Sequence, residues 1–338
     1  MPACLTTWRT AALALGWVFL FRLSDAAPTQ ALRELANFSV FNKVDLPQIA
    51  AEPKTIGGAA MRNPRFAAVQ SCWVAPGSPG ELLAALRALD RARYPETNVY
   101  FHVNGSDFGA LRNVPDKPGV RALVKATLAV SPELQISKEE AARFSRVGPL
   151  EGPGAMPPIV GLFWKMILTK RADAFVSGGS ASQPPYDHTG QEIRPNEDLK
   201  SLLGEQPKLR KQFAGLLENS GIGRGAAGEP QQFWQLRAID NKAVVTLGAF
   251  YERSVGSGAL AATLSYYASG GYLAAVTLYQ MWPIEVDGKP STLVWRGDVV
   301  SSLRFAQAER AEAEAQVRDE VAREIRLLRQ DVAGAEQR

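Results

Sequence analysis

The spacing of apolar residues changes from strand-like to helix-like several times along the chain. Residues 66–74 are almost continuously apolar and residues 98–103 alternate, so both segments predict strands. Between them, leucines recur at helical spacing over residues 81–93, which predicts a helix with one buried face. Because a strand, a helix and a strand with short loops suit a parallel crossover, we expect residues 28–150 to form a mixed α/β part.

The middle of the chain is mainly helical in its spacing. Residues 151–237 carry apolar side chains three and four positions apart, and the Pro- and Gly-rich residues 148–158 are typical of a linker. A Gly-rich run at residues 223–228 matches the letters of the dinucleotide-binding fingerprint. It follows a predicted helix rather than a strand, and Pro230 comes soon after it, so we interpret the run as a loop.

The C-terminal third predicts an antiparallel meander at residues 238–302 and a helix at residues 303–338. Asp287-Gly288 is the clearest hairpin signal in the chain, and Pro283 indicates an edge or a bulge in the strand before it. The predicted helix has one apolar stripe, made of Val317, Val321, Ile325, Leu328 and Val332. The fold class that we predict is therefore α+β: a mixed α/β N-terminal part, a helical middle, and an antiparallel C-terminal sheet with a long C-terminal helix.

The first 27 residues have the layout of a secretory signal peptide. Arg9 precedes an unbroken apolar run at residues 11–21, and small residues near Ala26 follow, as the signal peptidase requires. The Ala- and Arg-rich composition is typical of bacteria, so we predict a periplasmic or secreted protein. The alternative is an uncleaved leader that anchors the protein in the inner membrane. After the leader, no segment is apolar enough to span a membrane.

Composition and charge narrow the classes of partner. The chain is 46% hydrophobic and 21% charged, as in ordinary globular proteins, and its formal net charge is only +4. Basic residues are scattered rather than gathered on one stripe, which argues against nucleic-acid binding. Beyond the leader Cys72 is the sole cysteine, so no internal disulfide is expected, and its apolar surroundings predict an unreactive thiol.

The sequence contains none of the common catalytic or metal-binding motifs, and it predicts neither a cofactor nor a metal. One loop nevertheless holds the residue types of a serine hydrolase: Ser180 as nucleophile, His188 as base and Asp187 as the carboxylate that orients the base. Adjacent Asp and His residues rarely form such a triad, so an ordinary surface loop or a ligand-contacting loop is the alternative.

Three predicted strands offer candidate ligand-binding residues. Alternation places Tyr100, His102 and Asn104 on one face of their strand, where they would form one wall of a polar pocket. Trp282 and Trp295 belong to an aromatic-rich C-terminal sheet that suits either ligand stacking or core packing. The tripeptide at residues 296–298 matches an integrin ligand, a coincidence within a predicted strand.

These patterns favour a non-enzymatic envelope protein that binds a small or lipidic ligand, or a partner protein. A serine-type hydrolase of cell-wall or ester substrates is the first alternative. A structural or assembly protein that uses its C-terminal helix is the second.

Overall fold

An eight-stranded antiparallel sheet forms the centre of the computed structural model, which describes residues 26–144, 154–217 and 230–335. The strands are β1 (Lys54–Gly57), β2 (Phe66–Pro76), β3 (Val99–Asn104), β4 (Gln231–Ile239), β5 (Lys242–Val255), β6 (Gly258–Ala268), β7 (Ala274–Val286) and β8 (Lys289–Ser301). Their order across the sheet is β1-β2-β8-β7-β6-β5-β4-β3. Residues 1–25 of the predicted leader, most of the predicted linker and the Gly-rich run lie outside the described residues.

Helices cover both faces of this sheet. They are α1 (Ala26–Phe38), α2 (Leu46–Ala51), α3 (Pro79–Ala88), α4 (Pro118–Leu128), α5 (Lys138–Ala142), α6 (Pro158–Gly178), α7 (Pro195–Gly204), α8 (Pro207–Gln212), α9 (Ala214–Leu217) and α10 (Arg310–Ala335). One face packs against α1, α2, α4 and α6–α9, and we call it the helical face. The other packs against α3 and α10, and we call it the cleft face. No helix in the described ranges has both the length and the hydropathy that a membrane span requires.

The α+β architecture predicted from the sequence is confirmed, and several local patterns are confirmed with it. The leucines of α3 are buried, as are Val321, Ile325, Leu328 and Val332 of α10. Asp287 and Gly288 both have positive φ and connect β7 to β8 through a two-residue hairpin. Pro283 lies beyond Met281, the last residue of β7 that pairs with β6, so its missing N–H removes no hydrogen bond of that pairing.

The predicted parallel crossover is wrong. The strand before α3 is β2 and the strand after it is β3. Counted from the β3 edge of the sheet, β3 is the first strand and β2 is the seventh, so the two do not pair. All observed pairs are antiparallel: β2 pairs with β1 and β8, and β3 pairs with β4. The helical spacing of α3 is equally compatible with a connection that crosses the cleft face, and local sequence does not specify which strands become neighbours.

Strands from both the N-terminal and the C-terminal segments therefore share one sheet. Along β7 and β8, side chains alternate between the two faces, whereas on β6 the alternation is interrupted where Tyr266 and Tyr267 both pack on the helical face. On β8, Leu293, Trp295 and Val299 belong to the helical face, whereas Val294 packs on the cleft face. The two faces thus carry different chemistry from the same strands.

Candidate functional site: the sheet–helix cleft

A cavity of about 470 Å³ lies between the cleft face and α10, and we call it the sheet–helix cleft. Its floor includes Phe233, Gln235 and Arg237 of β4, Thr263 and Ser265 of β6, Ala275 and Thr277 of β7, and Arg296, Asp298 and Val300 of β8. Its wall includes Val317, Glu320, Val321, Arg323 and Glu324 of α10. Pockets for small molecules typically enclose about 300–1,000 Å³.

Small side chains in matching register create this space. Gly248 of β5 pairs with Ser265 of β6, and Ser265 pairs with Ala275 of β7, so a residue without a side chain and two short side chains follow one another across the sheet. The ring of Phe233 occupies the space above Gly248, because a Cβ there would come within 2.2 Å of that ring. The floor is therefore depressed in the middle and bounded by an aromatic ring on the β4 side.

An ion network lies along the part of the floor nearest α10. The Arg296 guanidinium donates to both carboxylate oxygens of Asp298, over 2.7 and 2.8 Å, and lies 2.9 Å from Glu324 of α10. Arg91 approaches the other Glu324 oxygen at 3.4 Å, and Thr277 donates to Asp298 over 2.8 Å. Every charge in this part of the floor has an opposite charge as its neighbour, so the network is fixed before any ligand arrives.

The pKa of Glu324 shows how strongly this network favours the ionised form. Burial alone would raise the pKa, but the positive charges of Arg91, Arg296 and Arg237 lower it to about 2. Glu324 is therefore an anion throughout the physiological pH range.

Ion pairs of α10 reach strands that are not neighbours in the sheet. Glu320 forms an ion pair with Arg237 of β4, whereas Glu324 pairs with Arg296 of β8. One helical turn separates the two glutamates, about 6 Å. In a flat sheet β4 and β8 would lie about 19 Å apart, since neighbouring strands are about 4.8 Å apart. The long side chains of Arg237 and Arg296 thus connect two non-neighbouring strands to the same helix.

Several polar groups at the cleft have no partner within the described residues. The hydroxyls of Thr263 and Ser265, both half-buried, form no hydrogen bond there, and neither does the Arg323 guanidinium. Arg237 has a buried Nε without an acceptor, although its Nη2 pairs with Glu320. The half-buried uncommitted groups along the floor and the α10 wall thus include hydroxyls and guanidinium N–H donors. The exposed Asp319 of α10 adds one carboxylate that has no ion pair within the described residues.

A small recess adjoins the cleft and contains His102 and Asn104. It encloses about 20 Å³, roughly the space of one water molecule, and shares Arg91, Phe233 and Thr263 with the cleft. Gln235 donates to Nδ1 of His102 over 2.8 Å, and Nε2 of His102 lies 3.1 Å from Asn104 Oδ1. Both contacts are satisfied by the neutral ring protonated on Nε2. Burial, and then the charge of Arg91, lower the pKa of His102 below its usual value.

Tyr100 does not share this recess. Strand pairing shifts between Val99 and Phe101, so Tyr100 is an extra residue in a bulge and packs with Phe101 against the core of the helical face. Simple alternation from His102 therefore misplaces this tyrosine.

No family model, curated protein or solved structure matches this chain. The candidate function therefore depends on the geometry of the molecule alone.

Trp282 and Trp295 lie on the helical face, away from the cleft. The Trp295 ring is fully buried and donates to Gln70 over 3.1 Å, with the Phe38 ring 4.9 Å away. Trp282 is 7% exposed and donates to Glu34 of α1 over 2.7 Å. Both rings fill the core, so the structure gives them no access to a ligand.

The three residues of the suggested triad each have a different partner. Ser180 is buried and donates to Asn196 over 3.2 Å, while Asp187 accepts the Lys138 backbone N–H over 2.7 Å. The two ring nitrogens of His188 face the carbonyl oxygens of residues 136 and 131, at 3.2 and 3.1 Å. A general base needs a ring nitrogen free to accept the serine proton, and neither is free. The geometry therefore gives no support to a triad in this loop.

The described residues offer neither a reactive thiol nor a cluster of metal ligands. Burial raises the pKa of the Cys72 thiol to about 12, so little thiolate forms at neutral pH. In the described ranges, no three His, Cys, Asp or Glu side chains lie close enough together to hold a metal ion.

Sequence reasoning missed most of the cleft, although one signal was present. Thr263, Ser265 and Thr277 are polar residues on the outward positions of strands whose other positions are mainly apolar. Arg296 and Asp298 continue this polar pattern on the next strand. The integrin-like tripeptide thus contains two side chains of the ion network, which form an ion pair with each other.

Proposed function

We propose that this protein binds a small amphiphilic molecule in the sheet–helix cleft. The volume of about 470 Å³ lies within the range of small-molecule sites. The lining combines an apolar part, including Phe233, Val300 and Val317, with the polar groups of the floor. A ligand with one apolar and one hydrogen-bonding part would match both.

The observation that carries this proposal is the pair of uncommitted hydroxyls on β6. Thr263 and Ser265 lie two residues apart, on the same face, at the centre of the floor. The surrounding Arg296, Asp298 and Thr277 form hydrogen bonds with one another, but these two hydroxyls do not join them. They remain available to a ligand, and the strand fixes their positions.

Binding is a better match to the cleft than acid–base catalysis. A general acid or base works best with a pKa near the operating pH. Glu324 has a pKa of about 2 and is held between two arginines, so it neither donates nor accepts a proton readily at neutral pH.

Titration with phenylnaphthylamine, an uncharged fluorescent aromatic probe, tests the proposal. We expect saturable binding to the wild type and a loss of about tenfold or more in affinity for Ser265→Trp, whose ring fills the depressed floor. Ser254→Trp is the matched control, because Ser254 is exposed near the β5–β6 turn, outside the cleft lining. Ala275→Phe provides a second filling variant, and circular dichroism checks that each variant folds.

Equal affinity of the wild type and of the folded filling variants would contradict the proposal. So would the absence of saturable binding to the wild type.

We also propose that binding takes place outside the cytoplasm, on the strength of the leader pattern in residues 1–27. Fractionation of the host, followed by intact-mass analysis, tests this. A soluble periplasmic or secreted product that begins near Ala27 or Pro28 is expected. A full-length product in the inner membrane would contradict cleavage and favour an anchored protein.

A further inference from the structure

The balance of uncommitted groups in the cleft points to the polar part of its ligand. We infer that this part is an oxyanion, such as a carboxylate or a phosphate, bound by Arg323 together with the hydroxyls of Thr263 and Ser265. This inference rests on the proposed function, since it concerns the same cleft.

The arginines of the cleft differ in whether an acidic side chain already pairs with them. Arg91 and Arg296 pair with Glu324, Arg237 pairs with Glu320, and Arg304 pairs with Asp240. Arg323 also lines the cleft, half-buried on α10, yet no ion pair or hydrogen bond engages its guanidinium within the described residues. It is the cleft arginine whose five N–H donors remain unused.

Most acidic side chains of the cleft are already paired with an arginine. Asp298, Glu324, Glu320 and Asp240 are each engaged by an arginine, so their oxygens are already neutralised. Asp319 lies one turn before Arg323 on α10, is exposed, and forms no ion pair with it in the described structure. Within the described lining, a cationic ligand would therefore find an uncommitted carboxylate at the exposed Asp319 alone, whereas an anionic ligand would find uncommitted donors on the half-buried floor and wall.

The uncommitted donors of the cleft suit the geometry of an oxyanion. A guanidinium presents two parallel N–H groups that match the two oxygens of a carboxylate or phosphate, and such charge-assisted bonds are the strong ones. The two hydroxyls of β6 can donate to the same group from the floor. The apolar side chains of the lining would then hold the rest of the ligand.

Two probes with one skeleton separate the anionic group from the apolar body. Anilinonaphthalenesulfonate carries a sulfonate on the ring system that phenylnaphthylamine has without charge. We expect the wild type to bind the sulfonate probe more tightly, and Arg323→Gln to weaken that binding about tenfold, a clearly larger loss than for phenylnaphthylamine. Arg326→Gln is the matched control, because Arg326 is exposed on α10 and does not line the cleft.

Competition identifies the source of the oxyanion. Octanoate and octyl phosphate share a chain length, so the one that displaces the sulfonate probe at lower concentration indicates a carboxylate or a phosphate ligand. Displacement by either supports the inference, and octanol is expected to displace the probe poorly.

The outcomes distinguish this inference from the proposed function. If both probes bind with equal affinity, or if Arg323→Gln weakens both equally, the oxyanion inference is wrong and the binding function stands. If neither probe binds the wild type saturably, the proposed function fails and the inference fails with it.

Discussion

The two faces of the central sheet come from the same strands but are built in opposite ways. On the helical face, the rings of Trp295 and Trp282 pack against Phe38, and the Glu34 carboxylate accepts the Trp282 N–H. On the cleft face, β7 and β8 present Thr277, Arg296 and Asp298, and the space above the short side chains beside them remains open. Around Trp295 large aromatic side chains fill the space, whereas at the cleft short side chains leave it open. Elsewhere on the cleft face, Trp73 and Tyr279 are packed into a core of their own.

This contrast corrects the expectation that aromatic density marks a binding surface. Buried aromatic rings supply most packing area to a sheet, so a strand rich in them is typical of a core. Open space remains where short side chains coincide in register, as at Ser265 and Ala275. Register, rather than composition, decides where the cavity lies.

Removing a core ring tests the helical face and should have the largest effect. Trp295→Ala is expected to lower the free energy of unfolding by about 3–5 kcal/mol, because it leaves a cavity among fully packed rings. Val300→Ala, at the half-buried edge of the cleft, should lower it by no more than about 1 kcal/mol. Urea denaturation measures both, and a smaller loss for Trp295→Ala than for Val300→Ala would refute the comparison.

Neutralising Glu324 tests the ion network of the cleft face. Its folded pKa of about 2 lies below the unfolded value of about 4.3, so the carboxylate stabilises the fold above about pH 4 and loses this effect as the pH falls towards 2. Glu324→Gln is expected to lower the free energy of unfolding by about 2–3 kcal/mol at pH 7. Below about pH 4, the free energy of unfolding of this variant should depend less on pH than that of the wild type.

Glu320→Gln is the control for this prediction. The side chain of Glu320 is 44% exposed, and its loss should change stability by less than about 1 kcal/mol. Urea midpoints measured between pH 2 and pH 7 compare the variants. If the stability of Glu324→Gln falls with decreasing pH as steeply as that of the wild type, the ion network contributes little to stability.

Two facing threonines provide a finer test within the floor. Thr263 and Thr277 lie directly opposite each other on β6 and β7, but only Thr277 donates to Asp298. Thr277→Val should lower the free energy of unfolding by about 1–2 kcal/mol, since it removes a hydrogen bond to a buried charge. Thr263→Val should change it by less than about 0.5 kcal/mol. Equal losses in urea denaturation would mean that the Thr263 hydroxyl has a partner of its own.

The last prediction concerns titration rather than global stability. Because burial and the charge of Arg91 favour the neutral ring, the pKa of His102 should lie below the ordinary histidine value of about 6.5. The folded state then binds that proton less readily than the unfolded state, so this residue makes the protein less stable as the pH falls below about 6.5. Ring resonances followed by NMR, assigned with His102→Gln, measure the midpoint. A midpoint at or above the usual value would contradict the neutral assignment.

Local sequence patterns predicted the elements well because those patterns are set by burial. The leucines of α3 and the stripe of α10 repeat with the period of a helix that has one covered face. Asp287-Gly288 specified its hairpin because both positions require positive φ. In each case the physical cause acts within a few residues.

Strand order and the cleft were not predictable in the same way. Whether β2 pairs with β3 or with β8 depends on contacts between distant segments, and the spacing within β2 is the same in both arrangements. The position of Tyr100 required a bulge that alternation does not show. The partners of Glu324 lie on β8 and on the loop after α3, so no motif of neighbouring residues could have assembled them.

The pairing of β2 with β8 has a consequence for how the molecule is made. Val69 pairs with Asp298, so most of the chain must be synthesised before β2 acquires this neighbour. At about 5–20 residues per second, a ribosome needs roughly ten seconds or more for the intervening chain. During that interval β2 is a strand whose first ten residues are all buried in the final fold, exposed as a nearly continuous apolar segment. Such segments aggregate readily, so production of this protein should depend strongly on chaperones that hold nascent chains.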